Sequence, residues 1–231
     1  MALSAALRAE AEAWAAIDEE HRAEITRLLT ERPDDIAELF GDRVAFGTAG
    51  LRAAMGPGPR RMNRLVVRQT TAGLMDWFDG SPTVVIGYDA RFHSRRFAHD
   101  VAAVVIDRGG RALLVDRPAP TPVLALAVLD HGADAGVMIT ASHNPADDNG
   151  YKLYLGDGIQ LVPPADAEIA AAIDRLATVD PLPMGPDGVD GPPAAAVDVA
   201  DAALARHREV ATAPLGSGQR DVNVLYTCLL Y

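Results

Sequence analysis

The hydrophobic pattern changes period several times along the chain, and each change predicts an element. Residues 3 to 30 carry Ala, Leu, Glu and Arg with no breaker before Pro33, which reads as helix. Asp34 or Asp35 is placed to cap a short helix, "DDIAELF", stopped by Gly41. The stretch "FGTAGLRAAMGPGPRRMN", residues 46 to 63, holds too many glycines and prolines for regular helix. Asn63 is placed to cap the next helix, which runs through about Phe78. A strand–helix rhythm follows. The apolar runs "TVVIGYD" (83–89), "ALLVD" (112–116) and "AGVMIT" (135–140) are strands. Between them lie the helices "SRRFAHDVAAVVIDRG" and "TPVLALAVLDHG", the second with Thr121 as cap and Pro122 at its first position.

Further on, "YKLYL" and "GIQLV" flank "GDG", the pattern of a hairpin added to the sheet. "PADAEIAAAIDRLA" is a helix, residues 178 to 198 a Pro- and Gly-rich loop, "VADAALARHREVATA" a helix and "RDVNVLYT" (220–227) a new strand. Short, fully apolar strands alternating with helices mean a sheet covered on both faces. The expected fold class is therefore α/β: a three-layer α/β/α domain with a mostly parallel mixed sheet. It spans residues 42 to 205, behind a helical N-terminal arm, residues 1 to 41. Residues 206 to 231 are expected to open a second domain that is barely begun, with "DVNVLYTCLLY" as an association-prone orphan strand.

Charge narrows the partners. A net charge of −11 argues against nucleic acid and against an anionic membrane surface. It leaves room for a small anionic ligand held by local arginines and backbone N–H groups. Cys228 is the only cysteine, so there is no intrachain disulfide and no cysteine-based metal site. The acid-bearing N-terminus lacks the apolar run of a signal peptide, and no run reaches the ~18 residues of a membrane helix. A cytoplasmic location is the expectation.

Candidate chemistry collects where strands end, since ligands of open α/β sheets sit at the carboxyl ends of the strands. The apolar run 135–140 stops at Thr140, and Ser142, His143, Asn144 and Pro145 follow. Neighbouring side chains of extended backbone point apart, so His143 is badly placed as a base for Ser142, and no GxSxG elbow supports a serine hydrolase. A rigidly held, exposed serine has another use, which is to carry a phosphoryl group. Taken alone, "SHNP" is equally the composition of a turn. Lys152, the chain's only lysine, reads as a proton carrier, a phosphate cation or a solvated strand residue. Arg52 lies among Gly47, Gly50, Gly56 and Gly58, whose backbone can approach an anion or simply form a surface loop. Asp147 and Asp148 read as metal ligands or, as adjacent loop carboxylates usually are, as solvated groups.

Together, "FGTAGLR" (46–52), "GYDAR" followed by Ser94, "TASHNP" (140–145) and "NGYK" (149–152) resemble the α-D-phosphohexomutases, the family of phosphoglucomutases and phosphomannomutases. The four segments occur in that family's order, and "FGTAGLRAAMGPGPRRMN" looks most like its phosphoglucomutase-2 and phosphopentomutase branch. The resemblance implies that Ser142 carries a phosphoryl group, exchanged with a sugar monophosphate and a sugar bisphosphate, with Mg²⁺ bridging the phosphoserine. It implies catalytic roles for Ser142, Lys152, Arg52 and His143. It implies substrate contacts for Thr48, Gly50, Arg52, Arg91, Ser94 and Asn144. Members of that family have four domains. The "DGDxDR" loop expected to supply the metal's carboxylates is absent here, as are the sugar-selecting and phosphate-gripping loops of later domains. Where "PLHGVG" is expected, the chain reads "CLLY". The expected activity is phosphosugar mutase. The alternative is a truncated remnant of the first domain that folds without turning over.

Overall fold

The computed structural model describes residues 3–46, 50–176 and 192–213. Thr48 and the segment 220–227 lie outside them. The arm is three helices, α1 (Ala5–Ile17), α2 (Arg22–Glu31) and α3 (Pro33–Leu39), rather than one long helix to residue 30. The break has a side-chain cause. The Asp18 carboxylate accepts hydrogen bonds from the Trp14 indole at 2.9 Å and the His21 backbone N–H at 3.1 Å, drawing the chain out of helix. Neither Asp34 nor Asp35 caps α3. Arg32 is the cap and Pro33 the first helical residue, a position where its missing N–H costs nothing. Trp14, Ile25, Ile36 and Phe40 bury the arm against the main core.

The sheet has six strands in the order β1 (Leu51–Ala54), β5 (Asp148–Leu155), β4 (Ala135–Ile139), β2 (Thr83–Tyr88), β3 (Arg111–Pro118), β6 (Val197–Asp198). β2, β3, β4 and β6 run parallel, while β5 is antiparallel to both β4 and β1. This is the expected mixed sheet. Its inner strands are buried on both faces, which is why they read as continuous apolar runs. Helices α4 (Arg64–Trp77), α5 (Ser94–Asp107) and α7 (Ala165–Leu176) form one outer layer. On the other face lie α6 (Thr121–Asp130) and α8 (Ala200–Thr212). Asn63 caps α4 as expected, accepting the Val66 N–H at 2.9 Å, but Thr121 is the first residue of α6 and Pro120 its cap. The domain boundary expected at residue 205 falls inside α8.

Two features depart from the expected hairpin. Only a short return follows β5: Leu155 N–H donates to the Ile159 carbonyl at 3.0 Å and Leu161 N–H to that of Leu153 at 2.9 Å. The first half of the same edge of β5 is taken by β1, a strand from within the glycine-rich stretch, with Leu51 opposite Tyr151 and Ala54 opposite Asp148.

Candidate active site

β2 leads out toward β3 on one side of the sheet, and β4 leads out toward β5 on the other. Their carboxyl ends therefore flank the switch point where ligands of open α/β sheets bind. The β2 end supplies Asp89 and Arg91, and the β4 end supplies Thr140 and Ser142.

Ser142 sits just past β4 with φ +58°, in the left-handed region that a residue with a Cβ adopts only under constraint. It was expected to be exposed; only 8 % of it is. The loop folds back over it because its main chain is tied down on both sides. Ser142 N–H donates to Thr140 Oγ1 at 3.0 Å, and its carbonyl accepts from Arg91 Nη2 at 2.9 Å. Its hydroxyl makes no hydrogen bond among the described residues. His143 is exposed and likewise makes none, so no base is paired with the serine from the adjacent position.

Arg52, Gly150 and Thr140 form one row across β1, β5 and the end of β4: Arg52 lies opposite Gly150, whose carbonyl accepts the Thr140 N–H at 3.0 Å. Lys152 is two residues along β5 and opposite Met138, so it shares a sheet face with Arg52. A Cβ on Gly150 would meet the Leu51 and Thr140 carbonyl oxygens at 2.6 Å and Arg52 Cγ at 3.1 Å, so a bare glycine is what lets this row close up. Gly50, with φ +75°, passes still nearer: a Cβ there would lie 2.0 Å from the Tyr151 carbonyl oxygen. Lys152 makes no hydrogen bond or ion pair among the described residues, and Arg52 Nε is buried without a hydrogen-bond partner. Burial pushes the Lys152 ammonium below its ordinary value of 10.5; the Arg52 charge pushes the same way and Asp89 opposes. Two cations thus stand on neighbouring strands with unspent donors, the arrangement an anion would relieve.

Other expected substrate contacts are placed differently. Ser94 is fully buried, donating to Asp89 Oδ1 at 2.8 Å and accepting from Asn149 Nδ2 at 3.0 Å, so it does not face solvent. Arg91 is buried beneath the serine loop with its donors on backbone carbonyls. Asn144 is half-buried and closes the loop, its amide donating to Asp148 Oδ2 at 2.8 Å. Sequence reasoning missed Asp89 and Thr140, joined by a 2.6 Å hydrogen bond; both lay within quoted segments, but nothing in their spacing announced that they meet. A cavity of 680 Å³ between the 41–46 segment and α4 and α7 carries neither Ser142 nor Lys152.

Mg²⁺ takes near-octahedral oxygen ligands. Among the described residues no group of three His, Cys, Asp or Glu could hold a metal ion. Asp89 already accepts from Thr140, Ser94 and the Arg91 N–H. These residues do not form a magnesium cage.

A three-layer α/β/α domain with its polar loops gathered at the switch point defines the class. Residues 43–180 match the family described as phosphoglucomutase/phosphomannomutase, alpha/beta/alpha domain I, and the chain belongs to that family of isomerases. It is 41 % identical to human phosphopentomutase over 176 residues, 71 % of this chain and 28 % of that protein. It is 39 % identical to the phosphoglucomutase of Staphylococcus haemolyticus over 151 residues, 64 % of this chain and 27 % of that one. A crystal structure of a "putative phosphomannomutase" from Thermus thermophilus superimposes with a TM-score of 0.55 at 26 % identity, over 69 % of this chain and 34 % of that one. The chain thus spans about a third or less of the length of these relatives.

Proposed function

We propose that this chain is the serine-bearing domain of a phosphosugar mutase that moves a phosphoryl group between C1 and C6, or C5, of a sugar phosphate. In the step assigned to Ser142, the P–O bond of a sugar bisphosphate breaks and the Oγ–P bond forms. The serine proton leaves to a base, and the departing sugar oxygen takes one up. The reverse transfer to the other hydroxyl of the monophosphate completes the exchange. Phosphoryl transfer asks the protein mainly for position and charge. The observation that carries the reading is the pair of cations, Arg52 and Lys152, with unspent donors on one face beside the end of β4. Arg52 offsets phosphate charge. Lys152, its proton held less tightly than an ordinary lysine's, gives that proton to the leaving oxygen and recovers one in reverse. His143, exposed on the loop, faces the solvent side from which substrate arrives.

Mg²⁺ remains an expectation of the family, with Ser142 reaching it through its phosphate. The resemblance puts the metal's carboxylates and the sugar-selecting groups in later domains, and this chain spans about a third or less of the relatives' length. The alternative, a domain that folds without turning over, uses the same residues. Among the described residues no helix is long and apolar enough to cross a membrane, and a cytoplasmic setting with sugar phosphates as partners fits the reading.

The test is an interconversion assay. Supplied with a hexose or pentose 1-phosphate, a trace of the corresponding bisphosphate and Mg²⁺, the chain is expected to form the isomeric monophosphate, and Ser142→Ala to lose that turnover. Turnover that survives in Ser142→Ala contradicts the reading. No turnover in the parent chain favours the alternative.

A further inference from the structure

The buried Arg91 does something other than hold substrate. Its guanidinium fork has four terminal N–H groups and four backbone partners. Nη1 donates to the carbonyls of Pro145 at 2.7 Å and Asp148 at 3.1 Å. Nη2 donates to those of Ser142 at 2.9 Å and Asn144 at 2.8 Å. Nothing on the fork is left for a ligand. Asp89 sits behind the fork: its Oδ1 accepts the Arg91 backbone N–H at 3.1 Å, and its Oδ2 forms an ion pair at 3.4 Å with Arg91 Nε, which is buried and makes no hydrogen bond. Asp89 also accepts from Thr140 Oγ1, the atom that receives the Ser142 N–H. One carboxylate therefore lies between the fork and the strand end, and the fork gathers four carbonyls of the 142–148 turn around itself.

The conformation so held is one that Ser142 does not adopt unaided, with φ +58°. A left-handed residue at a functional loop persists only when its surroundings over-determine it. Four charge-assisted bonds from one planar group, two of them to Ser142 and Asn144, supply that constraint. A lysine has the charge but not the fork, and one ammonium cannot span four carbonyls. We infer that Arg91 is a positioning residue, not a substrate ligand: through its four carbonyl bonds it holds Ser142 left-handed so that the hydroxyl is presented in one fixed direction. The importance of that direction rests on the phosphoryl-carrier reading of Ser142, whereas the hold itself does not.

Two measurements on the full chain test this. In the first, Ser142→Gly is made in the parent and in an Arg91→Lys background. Glycine relieves the left-handed strain and adds unfolded-state entropy. The entropy cost is common to both backgrounds and cancels. If Arg91 enforces the strain, Ser142→Gly is less favourable in Arg91→Lys by about 2–4 °C of melting temperature. Equal shifts in the two backgrounds overturn the proposal. Arg91→Gln, which removes the charge along with the fork, replaces Arg91→Lys if that variant does not fold.

The second measures labelling of Ser142 by a hexose bisphosphate. Arg91→Lys is expected to lower the maximal labelling rate by about 10²-fold, since small misplacement of a reacting group costs that much, with the half-saturating bisphosphate concentration unchanged. A raised half-saturating concentration with an intact maximal rate makes Arg91 a substrate ligand and overturns the proposal. If the parent chain takes no label at all, the phosphoryl-carrier reading fails, and the melting comparison alone decides whether Arg91 holds the loop.

Discussion

Lys152→Met slows phosphoryl transfer at Ser142 by about 10²–10⁴-fold, the range expected when a positioned acid–base group is lost. Methionine matches the stem of lysine and removes only the ammonium. The pH dependence separates this role from packing. Burial first, and Arg52 second, push the Lys152 ammonium below its ordinary 10.5, against the pull of Asp89. When the ammonium donates to the leaving sugar oxygen, the rate falls as pH rises through that lowered value. The descending limb of the pH–rate profile therefore lies below 10.5 in the parent and is missing from Lys152→Met. The stability effect runs the other way. A lysine whose pKa is depressed by folding destabilises the folded state at every pH low enough to keep it charged, and the penalty fades as pH rises through the folded value. Lys152→Met is thus no less stable than the parent at neutral pH, and a slower rate cannot be put down to unfolding. An unchanged rate, or a limb that persists in the variant, removes Lys152 from the chemistry.

Asp100→Ala unfolds the domain far more readily than a typical substitution, by about 3–5 kcal/mol. Asp100 is fully buried on α5 and takes a two-pronged bond from Arg64 on α4, Nε to Oδ2 at 2.7 Å and Nη2 to Oδ1 at 2.6 Å. Arg68, one turn along α4 and also buried, feels the same carboxylate; its own burial nonetheless brings it down to about 10. Removing Asp100 takes away the carboxylate that Arg64 grips with two bonds in the interior, and breaking a buried pair from one side costs more than the net worth of the pair itself. In urea the midpoint falls with the slope unchanged. A loss under about 1 kcal/mol, the value of an exposed pair, shows that water reaches these groups and that α4 and α5 are not joined as described.

What the sequence disclosed and what it withheld divide along physical lines. Local signals carried the strands β2, β3 and β4, because a strand covered on both faces must be apolar throughout. The Asn63 cap was legible because its partner is three residues away. β1 was not: "LRAA" has no strand character of its own and is a strand only because β5, about a hundred residues on, offers it an edge. The break at Asp18 was hidden for a similar reason, since a helical run of alanines outweighs one aspartate until Trp14 and His21 bond to it. At the site, the order of the segments pointed to Ser142, Lys152 and Arg52, and the structure puts Arg52 and Lys152 on one sheet face beside the end of β4. They did not tell which polar groups spend their donors internally. Arg91 and Ser94 read as substrate contacts in a one-dimensional motif, yet both are buried and bonded to their own loops. Thr48 and the segment 220–227 lie outside the described residues, so the expectations placed on them stand as they were.

The most direct test of the central claim is chemical. The chain is incubated with a radiolabelled hexose bisphosphate and Mg²⁺, digested, and the phosphorylated peptide sequenced by mass spectrometry. The expected result is one phosphoryl group, on Ser142, in a peptide containing "TASHNP", with no label incorporated by Ser142→Ala. Label on another residue, or none under conditions where a four-domain relative is labelled, contradicts Ser142 as the phosphoryl carrier of this chain.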